Sequence, residues 1–404
     1  MMLADSAALR RIPLPYRART FPNLPGLQEA LLLLDELATE TCFCAPIPAD
    51  RPLALYGAGN LGRLARNFLN TVRQGFVCVI DRNAHDLSNH PDWSGVRLVH
   101  PDETTEDDKS GTRLAVTVVT SAYVPLERAL IDRGFNDVVP FYDLAESFRH
   151  LHPLSNGWFA PRLTEHDRAG VARVLSRWND EVSRAHHLQF LAWRRLREEW
   201  TFVKAPMPAC DRFFIPEIIT ALRNDEILLD AGAHHGLVIE ALVRHTGGNF
   251  QRILAIEPDP INRTHLESRL DKLLPDDLRV AIDACAVSDH DGEAFFHSGL
   301  DYASQLSNTG DTRVRTRRIE TLGFSPTFIK LHLEGAELAA LNGAKQTLLD
   351  CRPIVATTVY HNSDGLWKTA NWLMETLNDY RFIFRNHSWC GTGAVIYAIP
   401  NERD

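Results

Sequence analysis

The chain has no uninterrupted apolar run of the ~18 residues that a membrane-spanning helix needs. It is short of basic charge, with 43 Lys and Arg against 52 Asp and Glu and a net charge of −9. Nothing therefore argues for wholesale binding of nucleic acid or of an anionic membrane. Cysteine is sparse and unpatterned: seven residues sit at 42, 44, 78, 210, 285, 351 and 390. None has zinc spacing, and the Cys42-x-Cys44 pair is a weak signal. Cys78 and Cys285 fall inside apolar strand patterns, so the thiols read as buried and reduced, in a cytosolic protein. Met1 to Thr20 has no signal-peptide core and carries Arg10, Arg11, Arg17 and Arg19, which reads as a frayed, proline-bearing leader. There is no biased tract either. At 45% hydrophobic and 24% charged the composition is globular, and 404 residues exceed one ordinary core.

What is present centres on Ile227 to Pro260. Ile227-Leu228-Leu229 reads as a buried strand, followed by the tight turn Asp230-Ala231-Gly232-Ala233-His234-His235-Gly236. A helical segment runs from Leu237 to His245. A second strand, Ile253 to Ile256, ends in Glu257-Pro258-Asp259-Pro260. In such a βαβ unit the acid after the second strand lies beside the glycine turn, where it can accept hydrogen bonds from both hydroxyls of a ribose. Gly232 and Gly236 would let the backbone approach a ligand. The spacing Asp-x-Gly-x-x-x-Gly differs from the dinucleotide fingerprint. It favours S-adenosylmethionine, which has no pyrophosphate to cradle on a helix N-terminus. The plainer reading is a glycine turn joining two core strands.

The first 150 residues hold a second signal. Leu53 to Tyr56 reads as a strand feeding Gly57-Ala58-Gly59-Asn60-Leu61-Gly62, and a helix follows through Leu64 and Phe68. The strand Phe76 to Ile80 then ends at Asp81, where a ribose partner belongs. With further strands at Leu114 to Thr120 and Val138-Val139, this is a small parallel α/β domain. Gly57, Gly59, Gly62 and Asp81 mark a second site, for a nucleotide or a nucleotide-sugar, or else a vestigial scaffold that binds nothing. No tyrosine–lysine pair at helical spacing supports redox chemistry here. The acidic run Glu103 to Asp108 reads as a solvated loop.

Pro153 to Pro208 reads as a helical connector, with Trp178, Trp193 and Trp200 as packing between two lobes and His186-His187 at the surface. Further on, Arg279 to Ile282 is a third strand of the central unit. The turn Asp283-Ala284 after it is placed to touch an adenine ring, through Asp283 or through the backbone near Ala286. Arg313, Arg315 and Arg317 alternate, so they share one strand face, either against an anionic substrate group or as a protected edge. Lys330, His332 and Glu334 alternate along Phe328 to Glu334, and His361 falls at the end of the next strand. Charged and imidazole groups on an otherwise apolar strand are costly unless paired or wet, so these line a cleft. A helix over 337–349 and another over 365–378 are expected. Two antiparallel strands, Arg381 to Arg385 and Ala394 to Ile399, would close the sheet.

Three blocks carry a resemblance. Asp-x-Gly-Ala at 230–233 goes with Glu-Pro-Asp at 257–259. Ile329-Lys330-x-x-x-Glu334-Gly335-Ala336-Glu337 goes with Leu341-x-Gly343-Ala344. The third is Tyr360-His361-x-x-Asp364-x-Leu366-Trp367. Together they resemble the FkbM-type family of S-adenosylmethionine-dependent methyltransferases. The resemblance implies a class I methyltransferase, Rossmann-like sheet over 209–404. A smaller parallel α/β nucleotide-binding-like domain (1–150) and a helical connector (151–208) precede it. It implies S-adenosylmethionine as donor and O-methylation of a sugar, glycan or other small metabolite. The cofactor roles fall on Asp230, Gly232, Ala233, His234, Gly236, Glu257, Pro258, Asp283 and Ala284. One departure is that His332 stands where the family usually has aspartate.

Deprotonation of an alcohol suits a histidine, and His361, at a strand end, is the first choice over His332, with Glu334 orienting and Lys330 alongside. No metal is expected. Neither a partner nucleic acid nor a membrane span is expected, and self-association stays open. Two other functions remain: an inert nucleotide-binding scaffold whose methyltransferase lobe has degenerated, and a nicotinamide-dependent oxidoreductase using Gly57 to Gly62.

Overall fold

The computed structural model describes residues 16–41, 44–208 and 211–403. Arg10, Arg11, Cys42 and Cys210 lie outside the described residues. Two sheets dominate, one parallel and one mixed. The first has five parallel strands in the spatial order Leu98–Val99, Cys78–Ile80, Leu53–Tyr56, Arg113–Val116 and Val138–Pro140. Its strands are apolar runs because helices cover both faces. The helix Asn60–Thr71 buries Leu61, Leu64, Ala65, Phe68 and Leu69, the three-and-four spacing of one apolar stripe.

The second sheet has seven strands, ordered Val280–Asp283, Arg252–Ile256, Ile227–Ala231, Phe328–Leu331, Ile354–Thr358, Ala394–Pro400 and Tyr380–Asn386. The first five run parallel and the last two are antiparallel. This is the mixed α/β, class I Rossmann-like arrangement that the resemblance implies. Counting each sheet's strands from its own first one, both begin 3-2-1-4-5. Each therefore reverses direction between its strands 1 and 4. Ligands of open α/β sheets lie at the carboxyl ends of the strands at such a reversal.

A four-stranded sheet is inserted after Val280–Asp283 and is built from Ala286–Val287, Thr312–Arg317, Gly292–His297 and Gln305–Leu306. Thr312–Arg317 lies inside it, so it is not an edge strand. Its arginines pair with acids: Arg313 with Glu293, and Arg315 and Arg317 with Asp283.

Several expectations are corrected. Arg17–Phe21 is a strand rather than leader, paired in parallel with Glu198–Phe202. The acidic run contains the helix Glu106–Ser110, with Asp108 buried against Arg97 and closing a capping box with Thr105. The 337–349 helix is two, Glu337–Asn342 and Lys345–Cys351, and the later one is Lys368–Thr376 after a 3-10 turn.

His186 and His187 are only 1% exposed. His186 accepts the Asn386 backbone N–H at Nδ1 and meets the Ala205 carbonyl at Nε2. His187 accepts from Trp178 Nε1 and meets the Leu366 carbonyl. Burial pushes both imidazoles down to about 4, so they are neutral packing groups. Trp178, Trp193 and Trp200 are buried as expected. Among the described residues no helix is long and apolar enough to cross a membrane.

Candidate active site

The two direction reversals open into one cavity of about 710 Å³. Its wall includes Gly57, Gly59, Asp81 and Thr117 from the first sheet, and Gly232, His234, Glu257, Lys330, His332 and Glu334 from the second. The two glycine loops, read separately in the sequence, thus share one space.

On the second sheet, Asp230 and Lys330 are paired across neighbouring strands by register. Their side chains are both buried, with Lys330 Nζ 2.9 Å from Asp230 Oδ1. Lys330 also donates to the Gly232 carbonyl at 2.6 Å. The lysine thus neutralises a carboxylate that would be expensive alone, and pins the turn. Asp230 does not reach the cavity. Gly232 has φ +73, and a Cβ there would sit 2.0 Å from the His332 carbonyl oxygen. Gly236, φ +79, caps the helix Leu237–Thr246, and its Cβ would strike Leu266. Both glycines are required by the protein's packing on itself. Gly232 nonetheless lines the cavity, whereas Gly236 does not, which corrects the expectation that Gly236 clears space for a ligand.

Glu257, 4% exposed, follows the strand Arg252–Ile256. Its Oε2 accepts the His234 N–H at 2.7 Å and its Oε1 the Asp259 N–H at 3.0 Å. Burial raises its pKa, and these backbone donors oppose that. Ala233, His234 and Pro258 line the cavity with it. Asp283 and Ala284 do not. Asp283 is drawn off by Arg315 at 2.6 Å, and Ala286 and Val287 take the expected place in the wall.

At the strand end Phe328–Leu331, His332 Nε2 lies 3.0 Å from Glu334 Oε1 and 3.1 Å from the Tyr360 hydroxyl. The Tyr360 hydroxyl in turn accepts from Arg212. Burial drives the His332 pKa down to about 4, so the ring is neutral. Glu334, at φ +50, is fully surrounded. Burial alone would raise its pKa, but the charge of His361 and contact with His332 hold it at about 2. His361 has 0% of its side chain exposed, with Nδ1 2.7 Å from Glu337 and Nε2 3.1 Å from Glu334. Burial opposes its charge, yet the two carboxylates hold it protonated, well above the usual imidazole range. His361 does not reach the cavity. The expectation that it is the base is therefore corrected: it is a buried cation clamping Glu334, and His332 is the imidazole at the wall.

Two groups have the composition of a metal site, His332–Glu334–His361 and His234–His235–Asp301, each with ligand atoms within 4.8 Å of one another. In the first, the protonated His361 already supplies the balancing positive charge.

On the first sheet, Gly57 and Gly59 line the cavity, whereas Gly62 lies beneath the loop. Asp81 Oδ2 accepts the Ala58 N–H at 2.6 Å and Oδ1 the Asn83 N–H at 2.7 Å. Thr117 donates its hydroxyl to the Tyr56 and Gly57 carbonyls.

Four residues were missed by sequence reading. Buried Asp259 caps the helix Pro260–Leu273 and accepts from Ser298, Gly299 and Ser304, tying the inserted sheet to the turn that holds Glu257. Its place in Glu-Pro-Asp was the available signal. Asn156, Tyr142 and Tyr302 also form cavity wall. Of these only Tyr142, just past the strand Val138–Pro140, was findable from a strand-end rule.

Residues 230–384 match the family model of the methyltransferase FkbM domain. Over the whole chain, the structure is similar to a crystal structure of methyltransferase FkbM from Methylobacillus flagellatus, at 19% identity and TM-score 0.56, covering 92% of this chain and 99% of that one. An SAH-bound methyltransferase from Podospora anserina overlaps 58% of this chain and 88% of its own at 13% identity, TM-score 0.28. A putative rRNA-methylase from Clostridium thermocellum overlaps 46% and 91% at 11% identity, TM-score 0.30. No curated protein sequence matches the chain. The family match thus falls on the sheet that presents Glu257, Lys330, His332 and Glu334, and methyltransferase activity is what that match supports.

Proposed function

We propose that the protein is an S-adenosylmethionine-dependent methyltransferase that O-methylates a hydroxyl of a sugar, glycan or other small metabolite. The observation that carries this reading is the placement of His332 and Glu334 across the strand reversal from the Glu257-braced turn, in one cavity. The residues fit the donor. Glu257 keeps free lone pairs for ribose hydroxyls, and Ile256, Ala286 and Val287 give an apolar wall for a purine. Gly232, Ala233, His234 and Pro258 complete the cradle. When bound, S-adenosylmethionine supplies a methyl on a sulfonium centre, and its transfer to an acceptor oxygen breaks one S–C bond, forms one O–C bond and releases one proton.

His332 receives that proton. Its Nε2 faces Glu334, so the neutral tautomer with Nε2–H leaves the lone pair on Nδ1. Glu334 fixes that tautomer and stabilises the imidazolium that forms, while His361 and Glu337 hold Glu334 in place. Lys330 acts on the turn, through Asp230 and Gly232, rather than on the acceptor. The cavity wall supplies positioning, where effective molarities reach ~10⁵ M or more.

Calorimetry with S-adenosylhomocysteine tests the donor half. We expect Glu257→Ala to weaken binding by about ten-fold or more, and parental affinity in that variant would remove Glu257 from the reading. Turnover on a panel of hydroxylated sugars tests the acceptor half. A protein that binds S-adenosylhomocysteine yet methylates none of them favours the inert scaffold, the reading that His332 in place of aspartate raises.

A further inference from the structure

The function just proposed leaves the first glycine loop without a task. We propose that this loop holds the methyl acceptor itself, as a nucleoside diphosphate-linked sugar whose sugar end reaches His332 and Glu334 across the shared cavity. This rests on the proposed function.

Three observations lead there. First, the three glycines of the loop divide into two kinds. Gly57 has φ +108, and a Cβ on it would crowd Val118 and Thr117; one on Gly62 would lie 2.2 Å from the Gly57 carbonyl oxygen. The fold demands both. Gly59 is different: a Cβ there would meet nothing within 4 Å, its φ is an ordinary −73, and it lines the cavity. No protein contact accounts for a bare backbone at that point. Close approach of a diphosphate does, because Gly59 caps the 12-residue helix Asn60–Thr71, whose N-terminal amides face that position.

Second, Asp81 is braced like Glu257. Each carboxylate accepts one N–H from its glycine loop, 23 residues earlier, and one from two residues later. Each keeps lone pairs for ribose hydroxyls. A structural carboxylate alone would not need that geometry twice.

Third, the stretch between the loops is polar in a way that suits hydroxyls. The side-chain carbonyl of Asn156 is buried, lines the cavity and has no hydrogen-bond partner. A buried acceptor left unpaired is costly, and an O–H donor from a ligand would satisfy it. Ser304 and Gln305 stand in the same wall. Tyr142, from the first sheet's side, meets Tyr302 at the hydroxyls, and both feel the charge of Glu334. The path from the first loop therefore ends at the groups that handle the acceptor proton. A dinucleotide is disfavoured because the far end of the same space belongs to the Glu257 turn. The transfer balances as before: the sugar oxygen gains the methyl carbon, sulfur keeps the electron pair of the broken S–C bond, and the hydroxyl proton passes to His332.

The test uses the intact protein and calorimetry with UDP-glucose, ADP-glucose, GDP-mannose and dTDP-glucose, each with and without S-adenosylhomocysteine. We expect at least one to bind with Kd under about 1 mM and to saturate alongside S-adenosylhomocysteine. Gly59→Val, whose side chain enters open space, should weaken it by about ten-fold or more and leave S-adenosylhomocysteine within about two-fold. Asn156→Leu should weaken the nucleotide sugar while leaving the corresponding free nucleoside diphosphate unchanged, which separates a sugar contact from a loop contact. The proposal is overturned if none of the four binds to protein that binds S-adenosylhomocysteine, if the two displace each other, or if NADH alone occupies the loop. Nucleotide-sugar binding without S-adenosylhomocysteine binding would sink the proposed function instead, and leave the ligand class of the loop standing.

Discussion

The two sheets of this protein share a plan and differ in what stands at the reversal of strand order. Both begin 3-2-1-4-5, both put a glycine loop after strand 1, and both brace that loop with a carboxylate after strand 2. After strand 4 they part. The first sheet offers Thr117 to Thr120, hydroxyls and small apolar groups, with Thr117 tied to the loop carbonyls. The second offers Lys330, His332 and Glu334, backed by His361 and Glu337. On the reading proposed above, the common parts are built to hold a nucleoside, while the titratable groups that chemistry needs stand at one strand end only. Those groups are affordable there only because each is paired.

The largest expected effect breaks the comparison at its base. Lys330→Met leaves Asp230 buried and uncompensated, and should cost about 3–5 kcal/mol in a denaturant titration. Removing the counterpart in the first sheet, by Thr117→Val, should cost only about 1 kcal/mol. Equal costs would mean that the two strand ends do the same structural job.

A smaller effect sharpens the chemistry. Glu334→Gln should lower kcat by about a hundred-fold through loss of the oriented His332. KM for the acceptor and affinity for S-adenosylhomocysteine should stay near parental, whereas a merely structural role would move all three.

The smallest effect is one of shape. Because His332 is held down to about 4, it is neutral across the physiological range and is lost as a base only when acid protonates it near that value. The pH–rate profile should therefore be flat from about pH 6 to 8, with no bend near the ordinary imidazole value of about 6.5. A bend there would place an unburied histidine in the mechanism.

The parallel strands and both glycine loops were legible because buried strands are continuous apolar runs, and because tight turns leave glycine at fixed offsets. The strand Leu98–Val99 was not, having only two residues, nor was Arg17–Phe21, whose Arg-Ala-Arg-Thr-Phe has no apolar run and which exists by virtue of a distant partner. His186 and His187 look like surface residues because nothing local announces Trp178, Asn386 or Leu366 as their partners. Asp283 sits at the right strand end for an adenine contact, but arginines from the inserted sheet claim it. His361 falls at a strand end too, yet the side-chain direction that buries it between two carboxylates is a tertiary fact. Local pattern thus located the site, while the division of labour within it depended on charges brought together from far apart in the chain.

The pairing of Arg17–Phe21 with Glu198–Phe202 has a bearing on biosynthesis. The earliest described strand cannot find its partner until the chain has emerged from the ribosome as far as Phe202, so the five-stranded sheet can assemble while that segment is still loose. Bringing such distant segments together carries a loop-closure entropy, which later packing of Phe21 on Trp200 and Phe202 must offset. Trimming those first residues would leave Trp200 uncovered beside the connector, and would be felt as stickiness during maturation before it was felt in the active cleft.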